Sequence, residues 1–214
     1  MQLKQSGIVF TFFVIKAFLL VAPTVNAQDP QFTQFYAAPL YLNPAFAGAT
    51  PCWRAGVNYR NQWFLSRRPY STYMAAADGN IWRYNLGVGG YIFYDNPGAG
   101  SYSTYEFAPI LAYQLRLKKE TYLRFGLQPS YHLKYLNMSD LTFGDQYTNI
   151  DGLVQGSNDG TRLPGSLNFF DVSSGVLIFS PKYWIGLAGH HLLRNPFMTD
   201  TKTNPVPMKL SLHG

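Results

Sequence analysis

The sequence predicts an all-β fold, an outer-membrane antiparallel β-barrel that is incomplete in this chain and has about seven to eight strands. The chain contains 16 Tyr, 16 Phe and 19 Gly, yet only 13% of its residues are charged, whereas soluble globular chains carry about a quarter. Long segments alternate between apolar and polar residues, as the strands of membrane barrels do. No apolar run after Val21 is long enough to cross a bilayer as a helix.

The clearest alternation covers residues 121–136. Successive side chains of a strand point to opposite faces, so the period-two pattern sorts this segment into two sets. One face would carry Leu123, Phe125, Leu127, Tyr131, Leu133 and Tyr135, and the other Arg124, Gly126, Gln128, Ser130, His132 and Lys134. We expect the first face to meet lipid and the second to face the lumen.

Further strands are predicted on both sides of this segment. Residues 102–117 repeat the pattern and are joined to it by the polar turn 118–120, which predicts a hairpin. Weaker patterns predict strands over 53–62, 70–78, 86–95, 170–180 and 183–192, and a last one that begins in 209–212. Their glycines favour close packing inside a curved wall over a phosphate loop, because no Gly-Lys-Ser/Thr follows them.

The lengths of the connections suggest how the barrel is oriented. The fourth and sixth connections are tight, whereas the fifth and seventh are long. Barrels of the outer membrane have short periplasmic turns and longer outer loops, so we expect residues 137–168 to lie outside the cell. This stretch is the best candidate for contact with a secreted partner, and a merely solvated loop is the alternative.

Residues 1–27 read as a cleaved signal peptide. Lys4 provides a weakly basic start, 8–21 is mostly apolar, and Val25-Asn26-Ala27 supplies small residues before the cleavage site. The apolar stretch of 14 residues is shorter than the roughly 20 that a spanning helix needs. The predicted organisation is therefore a signal peptide over 1–27, an N-terminal motif segment over 28–52 and a barrel wall over 53–214.

Two stretches of the motif segment carry a resemblance to a known family. Gln28-Asp29-Pro30-Gln31-Phe32 follows the cleavage site directly, and Tyr41-Leu42-Asn43-Pro44-Ala45-Phe46-Ala47-Gly48 comes soon after it. Together they resemble the opening of mature PorP/SprF-family proteins. A second stretch similar to a family motif is 185–192, which contains His190-His191 and is followed by Asn195-Pro196.

The resemblance implies a non-enzymatic outer-membrane component of the type IX protein secretion and gliding-motility machinery of Bacteroidetes-type bacteria. Such a protein would support secretion or surface attachment of specific substrates. The implied partners are outer-membrane lipid, periplasmic and motor-associated secretion components, and secreted surface proteins. The resemblance covers all of this chain but roughly the first two thirds of a family member, so we expect a truncated barrel. A small closed barrel of eight strands is the alternative.

The motif residues are candidates for docking rather than catalysis. Pro30, Pro39 and Pro44 restrict the backbone, so an extended or turn-broken segment is expected that plugs the lumen or packs at the periplasmic rim. Packing is the expected role of its individual aromatic side chains. The docking candidates are Gln28, Asp29, Pro30, Gln31, Phe32, Tyr41, Asn43, Pro44, Phe46, Gly48, His191, Asn195 and Pro196.

Other functions are disfavoured by what the sequence lacks. There is no catalytic motif, and no cofactor site is indicated. His190 and His191 would point to opposite faces of a strand and could not share a metal ion without a kink. Basic residues form no long stripe, so nucleic-acid binding is not expected. An open porin remains the alternative, lined by Arg54, Arg60, Glu106, Gln114, Arg116, Arg124 and His132.

Overall fold

The computed structural model describes residues 32, 34–65, 69–98, 103–136, 147–148, 152–153, 165–193 and 206–214. Its main sheet contains β1 (Arg54–Gln62), β2 (Tyr70–Ile81), β3 (Leu86–Asn96), β4 (Ser103–Lys118), β5 (Thr121–Tyr135), β8 (Ser166–Ser180), β9 (Tyr183–His190) and β10 (Lys209–His213). Two short strands, β6 (Tyr147–Thr148) and β7 (Gly152–Leu153), pair only with each other. Helical turns occupy Phe35–Ala37, Pro39–Leu42, Pro44–Phe46 and Trp82–Tyr84.

The eight strands of the main sheet form a curled half-barrel. Each pairs antiparallel with its neighbours in the order β1-β2-β3-β4-β5-β8-β9-β10. No ladder between described residues joins β10 to β1. The predicted all-β fold is therefore confirmed, and the closed eight-stranded alternative is wrong. No helix in the described ranges is long and apolar enough to span a bilayer.

The strand boundaries follow the predicted ones closely. The hairpin of β4 and β5 turns at residues 119–120, as the alternation indicated. β8 begins at Ser166, so the long connection before it is shorter than the predicted 137–168; most of that connection lies outside the described residues. The connection 82–85 between β2 and β3 is also short. The second, fourth and sixth connections between strands of the main sheet are thus all short. All three lie at the same end of the half-barrel.

The alternation also sorts the side chains as predicted. On β5, Phe125 and Leu127 are 45% and 51% exposed on the convex face, whereas Arg124 and Gln128 on the concave face are buried. The strand register extends this division across the sheet. Within the described strands of the main sheet, the convex positions hold no Asp, Glu, Lys or Arg except Lys118, which pairs with Thr121 beyond a register shift at the end of β4. A sheet face without charge matches a hydrocarbon environment.

A ladder of tyrosines crosses the convex face near the end with the long connections. Tyr59, Tyr73, Tyr94 and Tyr105 stand side by side on β1 to β4, with ring centroids 4.8, 6.1 and 4.6 Å apart. Ten residues separate Tyr105 from Leu115 on β4, which corresponds to about 25 Å along the membrane normal at about 3.3 Å per residue and a tilt of about 40°. The apolar band therefore has the height of the hydrocarbon layer that membrane barrels span.

Candidate functional site

Residues 34–48, called the plug below, lie on the concave face of the sheet. They form three helical turns, two of which begin at Pro39 and Pro44. Of the two expected forms, extended or turn-broken, the plug adopts the second, with Ala38 and Asn43 between its short turns. Proline suits the first position of a helical turn, where its fixed φ is favourable and its missing N–H is not needed. The compact turns place the plug's side chains and backbone against several strands at once.

The apolar side of the plug forms the core of the molecule. Leu40 is 2% exposed and belongs to a cluster that also contains Phe93 of β3 and Ile110 of β4. The ring of Tyr41 stacks on Phe93 with centroids 5.5 Å apart and meets Tyr91 edge-on at 5.9 Å. Such aromatic pairs stabilise by about 0.5–1.5 kcal/mol beyond the area that they bury. The plug is thus part of the folded core.

Asn43 joins the plug to the last three strands of the sheet. Its side chain has no exposed surface, and its Oδ1 accepts a hydrogen bond of 2.8 Å from the Ala45 N–H, which caps the turn that follows. Its Nδ2 donates to the carbonyls of Val176 on β8 and Leu187 on β9, at 3.2 and 3.3 Å. Nδ2 also lies 3.1 Å from Nε2 of His213 on β10. One amide therefore contacts three strands.

Gly48 is held from two sides by one neutral and two charged side chains. Its N–H donates to Asp78 Oδ2 at 2.8 Å, and its carbonyl accepts from Asn80 Nδ2 and Arg124 Nη1, both at 2.8 Å. Arg124 also donates to the Ala47 carbonyl. Asp78 forms an ion pair of 2.9 Å with Arg54. We call Asp78, Asn80 and Arg124 the Gly48 clamp, because together they bind both polar groups of this one residue.

Glycines in the strands make room for the plug's backbone. A Cβ at Gly87 would collide with the Ala47 carbonyl, and one at Gly126 would collide with the peptide between Pro44 and Ala45. At Gly175 it would strike the side chain of Asn43. The predicted close packing is confirmed at Gly87, and its partner is the plug rather than a neighbouring strand.

Polar side chains of the concave face bind one another. The hydroxyl of Tyr91 donates to Glu106 Oε1 at 2.7 Å and accepts from Gln128 Nε2 at 2.7 Å. Thr72 donates to Asp95 at 2.6 Å. Of the residues expected to line an open pore, Glu106, Arg124 and His132 are buried. Buried polar groups need such partners, because leaving them unpaired costs about 1–3 kcal/mol each.

The expectation that His190 and His191 point to opposite faces is wrong. β9 ends at His190, and His191 has a φ of 57°, which turns the chain. His190 Nε2 lies 3.2 Å from the Leu42 carbonyl of the plug, and His191 Nδ1 lies 2.5 Å from Asp171 Oδ2. Asp171 also accepts from the Leu193 N–H at 3.3 Å. Within the described residues, no group of three or more His, Cys, Asp or Glu could hold a metal ion.

The predicted docking residues fall into three groups. Tyr41, Asn43, Pro44, Phe46 and Gly48 lie together in the plug, and Phe32 meets Tyr41 edge-on at 5.9 Å. His191 lies apart from them at the end of β9. The remaining candidates, Gln28, Asp29, Pro30, Gln31, Asn195 and Pro196, lie outside the described residues.

The sequence did not reveal the clamp. The alternation on β5 indicated that Arg124 faces inward, yet nothing near Asp78 or Asn80 points to a partner at Gly48, which is 30 or more residues away. One chemical argument does point to partners for Arg124, because the charge of a buried arginine requires hydrogen-bond acceptors.

The comparisons with known proteins identify the family to which the chain belongs. A protein-family model described as "Type IX secretion system membrane protein PorP/SprF" matches residues 24–214. Neither the search of curated proteins nor the search of solved structures found a match to this chain. The matched range includes the plug, the clamp and all eight strands of the half-barrel. The chain therefore belongs to the PorP/SprF family of type IX secretion system membrane proteins.

Proposed function

We propose that the protein is a non-enzymatic component of the type IX secretion machinery in the outer membrane, where it supports secretion or surface attachment of specific substrates. Its partners would be periplasmic and motor-associated secretion components together with secreted surface proteins, and it would contribute to gliding motility. The chain would reach the outer membrane after cleavage of its signal peptide. The plug on the concave face is the observation that carries this proposal.

The plug favours a machinery component over a porin. A porin needs a water-filled path along its concave face, but here residues 34–48 occupy the middle of that face and pack against β3, β4, β5 and β8. Leu40, Asn43 and Ala47 of the plug are each at most 2% exposed. The segment is fixed to β2, β5, β8 and β9 by hydrogen bonds. A plug that belongs to the core occupies the space that a solute path would need, and it leaves the ends of the half-barrel for binding proteins.

The convex face supports the proposed location. Tyr105 and Leu111 are about half exposed and lie in a band without charged residues. Burying such a face in lipid is favourable, whereas exposing it to water leaves a large apolar patch. The band ends at the tyrosine ladder, as expected of aromatic residues at a membrane interface.

Co-purification from the native membrane tests the proposal. We expect affinity-tagged full-length protein to retain periplasmic secretion components after detergent extraction, whereas an unrelated tagged outer-membrane barrel retains none. The same preparation is examined in planar bilayers, where no large, stable conductance is expected. Stable conductance without co-purified secretion components would contradict the proposal and favour the porin.

A further inference from the structure

The three short turns at one end of the half-barrel form a basic rim. Each carries an exposed basic side chain, with Arg83 in the first turn, Lys119 in the second and Lys182 in the third. Lys118 at the end of β4 is also exposed. We call Arg83, Lys118, Lys119 and Lys182 the basic rim. Glu120 is the one acidic residue in these turns, so the rim has a clear excess of positive charge.

Exposed aromatic side chains accompany the basic rim in and beside the short turns. Trp82 and Tyr84 are 57% and 62% exposed in the first turn, and Tyr183 is 54% exposed beside the third. The guanidinium of Arg83 lies 5.9 Å from the centre of the Tyr84 ring. Tryptophan and tyrosine favour the level of the lipid headgroups, because their rings are apolar and their N–H or O–H groups are polar.

The opposite end has a different charge balance. The long connections 63–69, 97–102, 136–165 and 191–208 contain five Lys or Arg and five Asp in the sequence. The longest of them, 136–165, holds four of these aspartates and a single arginine. Among the connections, the excess of positive charge is thus confined to the short turns, which contain Arg83, Lys119 and Lys182 against Glu120. A general need for solubility would not concentrate it there.

We propose that the basic rim binds the phosphate groups of anionic phospholipids in the leaflet that surrounds the short turns. This inference rests on the membrane location proposed above. The exposed aromatic residues favour lipid over an acidic protein partner, because they continue the apolar band up to the level where headgroups lie. Lys and Arg at that level direct their charged ends to phosphate while their stems contact apolar surface.

Spin-labelled lipids test this proposal directly. The full-length protein is reconstituted in phosphatidylcholine vesicles that contain a trace of spin-labelled phosphatidylglycerol or phosphatidylcholine. Electron paramagnetic resonance then measures the fraction of each label that the protein restricts. We expect phosphatidylglycerol to be favoured by roughly two- to fivefold at low salt, and the preference to fall as salt screens the charges.

Two variants that each lose four positive charges show whether the preference for phosphatidylglycerol depends on the basic rim. Arg83→Gln, Lys118→Gln, Lys119→Gln and Lys182→Gln together should bring the ratio close to one. The control Arg67→Gln, Arg68→Gln, Arg194→Gln and Lys202→Gln removes four charges from the long connections and should leave the ratio unchanged. All four rim residues are exposed, so their replacement should not impair folding, and Arg83→Lys should retain the preference.

The outcomes separate this inference from the proposed function. If no lipid of either kind is restricted, the membrane location itself is wrong. If lipid is restricted without a headgroup preference, or if both variants lower the preference equally, the rim does not bind anionic lipid specifically. Loss of co-purified secretion components from the rim variant, with no headgroup preference in the wild type, would instead assign the rim to an acidic protein partner.

Discussion

Arg124 and Gly48 are 76 residues apart in the sequence, and a hydrogen bond of 2.8 Å joins Nη1 of the first to the carbonyl oxygen of the second. The same guanidinium binds the Ala47 carbonyl and Gln114 Oε1. Arg124 has no exposed surface, so its charge is stabilised by these acceptors and by the nearby Asp78 carboxylate. This one side chain fixes the end of the plug to the middle of the sheet.

Replacement of Arg124 by Met should destabilise the protein by about 3 kcal/mol, because the carbonyls of Ala47 and Gly48 lose a charged donor in a buried site. Urea unfolding of the protein refolded in lipid vesicles measures the change. Arg83→Met, at an exposed position, is the control in phosphatidylcholine vesicles, which contain no anionic lipid for the basic rim, and should change stability by less than about 0.5 kcal/mol. Equal effects of the two substitutions would contradict the role of the clamp.

Gly48→Ala should destabilise the protein by roughly 2–4 kcal/mol. Gly48 has a φ of 64°, and a Cβ there would lie 2.5 Å from the Gly79 carbonyl oxygen and 2.7 Å from the Gly87 Cα. Gly56→Ala is the matched control, since a Cβ at Gly56 has no neighbour within 4 Å. Urea unfolding in lipid vesicles measures the stability of both variants. If Gly48→Ala were as stable as Gly56→Ala, the plug would not be docked as described.

An arginine on the convex face should cost a free energy that depends on its depth. Leu127 pairs with Leu111 near the middle of the apolar band, whereas Leu115 lies at its edge. We expect Leu127→Arg to lower the free energy of unfolding from lipid by about 2–4 kcal/mol and Leu115→Arg by about 0–1 kcal/mol. Equal costs at both positions would mean that the convex face does not cross a bilayer.

Signal-peptide cleavage should occur after Ala27, because Val25-Asn26-Ala27 places small residues where signal peptidase requires them. N-terminal sequencing or intact-mass measurement of the protein from its native membrane should give Gln28 as the first residue. Ala27→Leu should slow the cleavage and leave more of the unprocessed form. A wild-type protein that retains Met1 would contradict this prediction.

The wall could be predicted from the sequence far better than the plug. The alternation of Leu123, Arg124 and Phe125 predicts directly which face of β5 each residue occupies, because successive side chains of a strand point to opposite faces. The plug contains no such period, and its prolines were interpreted as breaks although Pro39 and Pro44 begin helical turns. Arg124 was expected to line a pore for the same reason: its acceptors lie on a distant segment that no local pattern identifies.

The contacts of Asn43 also constrain how the protein folds. Its partners Val176, Leu187 and His213 follow it by 133, 144 and 170 residues, so a segment that is synthesised early obtains these hydrogen-bond partners only from strands that are synthesised much later. Contacts of such long sequence separation are slow to form, because the entropy of closing the intervening chain is lost before they contribute. Until β8, β9 and β10 are in place, the buried amide of Asn43 has no partner on the wall. We therefore expect the plug to dock in a late, slow phase of refolding.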